Sequence, residues 1–355
     1  MFNPERVELV RLRLGLTKIG FAEQLGVDRK ALQRFEGKEA DLPRACRDRL
    51  LEISGYPETF FEKGSPEYPN PMGVSFRSLR SLTASSRNAA IAAGALAFEL
   101  DDWITGHYEL PHHALAPVRE APPAQAAMLL RAQWGIGNRP IGNMINLLES
   151  RGLRVFSLVE ETRHLDAYSL WRNDKPYIFL NTLKTAERSR FDAAHELGHL
   201  ILHRHTGSSH PKGESEADEF ASAFLMPPED VMAEIRWVRS LDDLVIKKQR
   251  WGVSTAALAY TLHKMGKISD WHYRGYCIAL GKLGRNVEPR PMSQETSQVW
   301  SKILTDLWRQ GISLSRLADR LCLPERELNS LLFGIAAAPT EPSTGARLKL
   351  VNPKL

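Results

Sequence analysis

Residues 191–200 read Phe-Asp-Ala-Ala-His-Glu-Leu-Gly-His-Leu. Residues four apart lie one helical turn from each other on the same face, so the imidazoles of His195 and His199 can reach a single ion. Glu196 follows the first histidine and can take the proton of a water that a metal has acidified, then hand it to a leaving amine. The plainer reading of this stretch is an amphipathic helix with two solvated histidines. A catalytic zinc needs three protein ligands, so the next question is where the third lies. Residues 213–230 read GESEADEFASAFLMPPED, with Glu214 and Asp218 again on one helical face. Glu214 is the candidate third ligand. Asp218 can accept a hydrogen bond from a ligand histidine and fix its tautomer. Glu216, on another face, is the second choice, and His203, His205 and His210 are further candidates. The alternative for the acidic cluster is a solvated helix N-terminus, where carboxylates favour the dipole. Tyr260 and His263 lie beyond these helices and are candidates for stabilising an oxyanion, against a plain packing role.

Outward from this point the pattern alternates between helix and strand. Residues 153–158, 167–171 and 176–180 are short apolar runs that predict three strands, the last two a hairpin across Arg172 to Lys175. Helical spacing resumes near Thr185. A second helix starts near Glu214 and stops before Met226-Pro227-Pro228, because proline disfavours helical geometry in the preceding residue. Helical spacing is also expected over 76–104, 124–151 and 229–270, with a proline-rich loop over 111–123 between the first two.

The segments RSRFDAAHELGHLILH and ESEADEFASAFLMP resemble the ImmA/IrrE family of bacterial metallopeptidases. The elements that carry the resemblance are His195, Glu196, His199, Glu214, Ala217-Asp218, Phe220-Ala221 and Leu225-Met226-Pro227. It extends upstream through WGIGNRPIGNMINLLESRGLRV and downstream through WGVSTAALAYTLHKMG, covering roughly 125–290. It implies a zinc-dependent endopeptidase that cleaves or inactivates a partner repressor protein in a stress or mobile-element response.

Residues 11–36, RLRLGLTKIGFAEQLGVDRKALQRFE, resemble the phage-repressor type of helix-turn-helix, with Gly26 serving the tight turn. The second helix would start near Asp28 and offer Arg29, Lys30, Gln33 and Arg34 to phosphates and base edges. Lys18 stands where that motif usually carries glutamine, so it can reach a phosphate but not read a base as an amide does. The alternative is a helical domain that keeps the fold and binds protein or nothing. Glu23, Asp28 and Glu36 lie close to the proposed face. A second helix–break–helix, ISLSRLADRLCLPERELNSLLFG, resembles the first loosely and hints at an internal repeat. Its start is not basic, which favours packing or a dimer surface over DNA.

The expected architecture is mainly α with a small β-sheet in the peptidase part, beside an all-α helix-turn-helix domain. The divisions are 1–63 for the helix-turn-helix, 64–124 for a linker and helical segment, 125–290 for the zinc peptidase and 291–355 for a C-terminal helical region with a loose tail. A chain of 355 residues with 43% apolar and 25% charged residues suits a soluble protein of several domains. Three scattered cysteines argue against a disulfide framework and, with no apolar secretion signal, fit the cytoplasm. No apolar run is long enough to span a membrane. A net charge of +5 permits contact with DNA without requiring it. Paired half-sites would call for a homodimer. Two other functions fit the same domain pair. One is a transcriptional regulator whose peptidase-like part senses a ligand, as in a resembling group of fatty-acid-metabolism regulators. The other is a component of a toxin–antitoxin or phage-linked module.

Overall fold

The computed structural model describes residues 2–70, 83–115, 121–158, 167–204, 212–284, 287–332 and 349–350. At the N-terminus, α1 (Pro4–Arg13), α2 (Lys18–Leu25), α3 (Arg29–Glu36), α4 (Arg44–Ser54) and the single turn α5 (Glu58–Phe61) pack around Phe21, Leu25, Leu32, Phe35 and Leu50. Local chemistry sets their ends. Thr17 and Asp28 cap α2 and α3, accepting hydrogen bonds from the Gly20 and Ala31 amides at 3.1 and 2.7 Å. Between the two helices Gly26 takes a left-handed φ of 72°, which lets the chain turn within two residues.

Helix α6 (Ala84–His107) is the longest among the described residues and is built largely from alanine on its buried sides. It lies between the N-terminal helices and a three-stranded sheet. α7 (Pro123–Gln133) and α8 (Met144–Ser150) follow, separated where Gly135 and Gly137 turn left-handed, so the helical spacing over 124–151 is carried by two helices. Strands β1 (Arg154–Leu158), β2 (Ala167–Arg172) and β3 (Lys175–Asn181) form the sheet in the order β1-β3-β2. β2 and β3 are the expected hairpin. Asn173 and Asp174 close it with φ of 49° and 60°, which these two residue types tolerate. β1 runs parallel to β3, with Val155 opposite Ile178.

Alternation along the strands divides the molecule into layers. Phe156, Leu158, Tyr168, Leu170, Tyr177 and Phe179 face α6 and share one core with the N-terminal helices. Val155, Ala167, Ile178 and Leu180 face the opposite way, into a second core. Buried Asp101 of α6 ties the first layer to the sheet, accepting hydrogen bonds from Arg154 Nε at 2.7 Å and Tyr177 Oη at 2.6 Å. The second core is covered by α9 (Ala186–Leu202) and α10 (Gly213–Leu225), then by α11 (Pro228–Glu234), α12 (Leu241–Lys247), α13 (Thr255–Lys264) and α14 (Asp270–Leu283). The stretch expected to be helical over 229–270 is thus several short helices.

Helices α15 (Gln298–Arg309), α16 (Leu314–Leu321) and α17 (Glu325–Leu331) follow one another as α1 to α3 do. Ser313 caps α16 as Thr17 caps α2, and Cys322 takes the left-handed turn, φ 57°, that Gly26 takes in the first unit. Buried Leu317, Ala318, Leu321 and Leu328 occupy the places of Phe21, Ala22, Leu25 and Leu32. The third helix of this second unit is turned inward. Glu327 pairs with Arg13 at 2.9 Å, and Arg326 donates to the Ser54 carbonyl. Among the described residues no helix is long and apolar enough to cross a membrane.

Candidate metal centre

The strand hairpin feeds directly into α9, whose buried face, including Ala193, Ala194 and Leu197, seats it on the sheet. α10 packs closely along α9 because residue 198 is glycine. A Cβ there would lie 3.1 Å from Phe220 Cδ1 and 3.3 Å from Ala217 Cα. This approach brings Glu214, in the first turn of α10, beside the two histidines of α9. One donor atom each from His195, His199 and Glu214 lies within 4.8 Å of the others. The two Nε2 atoms are 3.0 Å apart, and the Glu214 oxygens stand 3.6 Å from His195 Nε2 and 3.7 Å from His199 Nε2.

Two neutral imidazole nitrogens and a carboxylate converging on one point suit a tetrahedral zinc site with one position left open. The electrostatics agree. Burial disfavours a charge on either histidine, but the Asp218 and Glu214 carboxylates raise the pKa of His195 well above the usual histidine range. Burial and the neighbouring histidines hold that of His199 far below it.

The surrounding residues fall into clear positions. Asp218 Oδ1 is 2.9 Å from His195 Nδ1, which leaves Nε2 facing the other donors. Glu196 is 2% exposed and accepts a 2.6 Å hydrogen bond from Ser169 Oγ. Ser169 was not singled out in the sequence. The signal was present in strand alternation, since Ser169 has the parity of Ala167 and must point at α9 rather than α6. His195, Glu196, Glu214 and Asp218 line a cleft of about 610 Å³, with Phe191, Ala257, Leu280 and Val287 among its other walls.

Other candidates lie elsewhere. Glu216 Oε2 is 2.9 Å from His203 Nε2, and His203 Nδ1 is 3.0 Å from His199 Nδ1, so both residues stand behind His199 and do not join the three-donor group. His205 and His210 lie outside the described residues, as does most of the loop around them. Tyr260 is 52% exposed and faces Tyr273, while His263 Nε2 sits 2.5 Å from Asp270 Oδ1. Neither is among the described residues lining the cleft. On the N-terminal unit Arg29, Lys30, Gln33 and Arg34 are all exposed on α3. Lys18 is exposed too, but its ammonium is 2.6 Å from Glu36.

The site thus lies in a mainly helical domain with a small mixed sheet, where a His-Glu-His helix faces a glutamate. Residues 148–263 match the family model described as the IrrE N-terminal-like domain, Peptidase_M78. That span runs from the end of α8 through most of α13 and includes all three candidate ligands, Glu196, Ser169 and Asp218. No curated protein matches the chain.

Proposed function

We propose that this chain is a zinc-dependent endopeptidase joined to a DNA-binding helix-turn-helix, and that its substrate is a partner repressor protein. His195, His199 and Glu214 converge on one point at the edge of a cleft lined by His195, Glu196 and Glu214, and this convergence supports the reading. A divalent metal bound there supplies Lewis-acid activation of water and of a peptide carbonyl. Glu196 takes the proton of the attacking water and returns it to the leaving amine. Ser169 holds that carboxylate in one orientation, and Asp218 keeps the proton of His195 on Nδ1. Without Glu196 the cleft could still bind a metal, but it would lack a base.

The DNA-binding half of the reading rests on α3, which presents Arg29, Lys30, Gln33 and Arg34 to solvent on one short helix. The third helix of the second unit offers no such face, since it is turned toward α1 and α4. A homodimer would therefore be needed to read two half-sites. Glu196→Gln tests the enzymatic half. The variant should retain its metal while cleavage of repressors encoded beside the protein falls by about 10²–10⁴-fold, the usual worth of a general base. Cleavage at the wild-type rate would refute the role of Glu196.

A further inference from the structure

Asp218 accounts for the outer nitrogen of His195, but it leaves the outer nitrogen of His199 open. His199 Nε2 faces the other donors, 3.0 Å from His195 Nε2 and 3.7 Å from Glu214 Oε1. A nitrogen that ligates a metal carries a lone pair, so the single proton of a neutral His199 ring must sit on Nδ1. Its neighbour there is another imidazole nitrogen, His203 Nδ1, at 3.0 Å. Two ring nitrogens can share only one proton, so His203 Nδ1 must accept. The proton of His203 is then on Nε2, which stands 2.9 Å from Glu216 Oε2. This arrangement satisfies the three contacts, and it runs in one direction from His199 through His203 to Glu216.

We infer that His203 and Glu216 form a positioning relay that fixes the tautomer and ring orientation of His199 for metal binding, in parallel with Asp218 behind His195. The inference rests on reading His195, His199 and Glu214 as a metal site. Packing sets the layout. His203 directly follows α9, four residues beyond His199, and Glu216, two residues beyond Glu214 and on another face of α10, meets it there. The side chains of His203 and His199 are both nearly buried, which limits competition from water for the imidazole–imidazole contact.

Zinc affinity, measured on the full chain by competition with a chromophoric chelator at fixed pH, tests the relay. Outer partners of ligand histidines typically contribute 10–100-fold in metal affinity. His203→Leu should weaken zinc binding by at least about 10-fold. His203→Asn places an amide oxygen near the position of Nδ1, can still accept from His199, and should stay within about threefold of wild type. Glu216→Ala should weaken binding in the wild-type background and have no further effect with His203→Leu, because it acts through the imidazole. Nitrogen-resolved NMR of the zinc-loaded protein should show a His199 Nδ1 proton protected from exchange, with protection lost in His203→Leu. Equal affinities for the leucine and asparagine variants, or additive effects of His203 and Glu216, overturn the relay alone. A wild-type chain that binds no zinc overturns the metal reading and the relay with it.

Discussion

Lys248 gives the strongest stability prediction. It is 1% exposed, and its ammonium lies 2.6 Å from Glu187 Oε1 and 3.1 Å from Glu288 Oε1. Glu187 belongs to the first turn of α9, and Glu288 to the segment that leads from α14 toward α15. Backbone groups hold the same carboxylates, with Met292 N donating to Glu187 at 2.9 Å and Thr255 N to Glu288 at 2.8 Å. Both glutamates line the cleft. Lys248→Met keeps the apolar stem and leaves two carboxylates facing each other without their cation. Breaking a buried pair in this way costs about 3–5 kcal/mol. With a urea m-value of about 2.5 kcal/mol/M, a loss of about 4 kcal/mol lowers the unfolding midpoint by about 1.6 M. Tryptophan fluorescence can follow the transition. Adding Glu187→Gln to the methionine variant removes one stranded charge and should recover part of the loss. A midpoint within about 0.3 M of wild type would show that the cluster is solvated and does not hold the cleft wall.

Three further outcomes are expected. Burial raises the pKa of Glu149 from 4.5 to about 7 despite hydrogen bonds from Ser297 and the Gln298 and Val299 amides. Its contribution to stability is therefore complete below pH 4.5 and declines as pH rises to about 7, by at most about 3 kcal/mol. The stability of wild type minus that of Glu149→Gln should fall across this window, and a flat difference would contradict it. Alanine at Gly94 gains about 1 kcal/mol of helix propensity, but its Cβ would meet Pro69 Cγ at 2.5 Å and Tyr168 Oη at 2.7 Å. Overpacking should win and leave a net loss of about 1–2 kcal/mol in chemical unfolding, whereas a stabilised variant would show that the seat on the sheet is loose. Arg34→Ala should weaken DNA binding and reduce the salt slope by about one phosphate contact, and an unchanged gel shift across salt concentrations would remove Arg34 from the interface.

The parts of the molecule that were legible in the sequence are those set by local chemistry. The four-residue spacing of His195 and His199 places both on one helical face wherever that helix sits. Gly26 and the capping residue Asp28 mark the turn between α2 and α3 without reference to the rest of the chain. Asn173-Asp174 marks the hairpin. Contacts that depend on packing were not legible. Nothing near Glu216 in sequence shows that α10 rotates it toward His203 while Glu214 turns to the ligand pair. Tyr260 and His263 lie three and six residues past the cleft-lining Ala257 of α13, close enough in sequence to be candidates, yet they face Tyr273 and Asp270 instead. The parallel pairing of β1 with β3 is equally silent in sequence, because an apolar strand does not announce its neighbour. The alternation that aims Ser169 at Glu196 could have been read, but only once the register against α9 was known.

Whether α9 and α10 together hold a catalytic metal is decided by elemental analysis of purified wild-type protein beside His199→Ala and Glu214→Ala. About one zinc per chain in the wild type, lost or sharply reduced in both variants, is the result predicted by a three-ligand site. No metal in the wild type after zinc is supplied, or equal zinc in all three proteins, would contradict it.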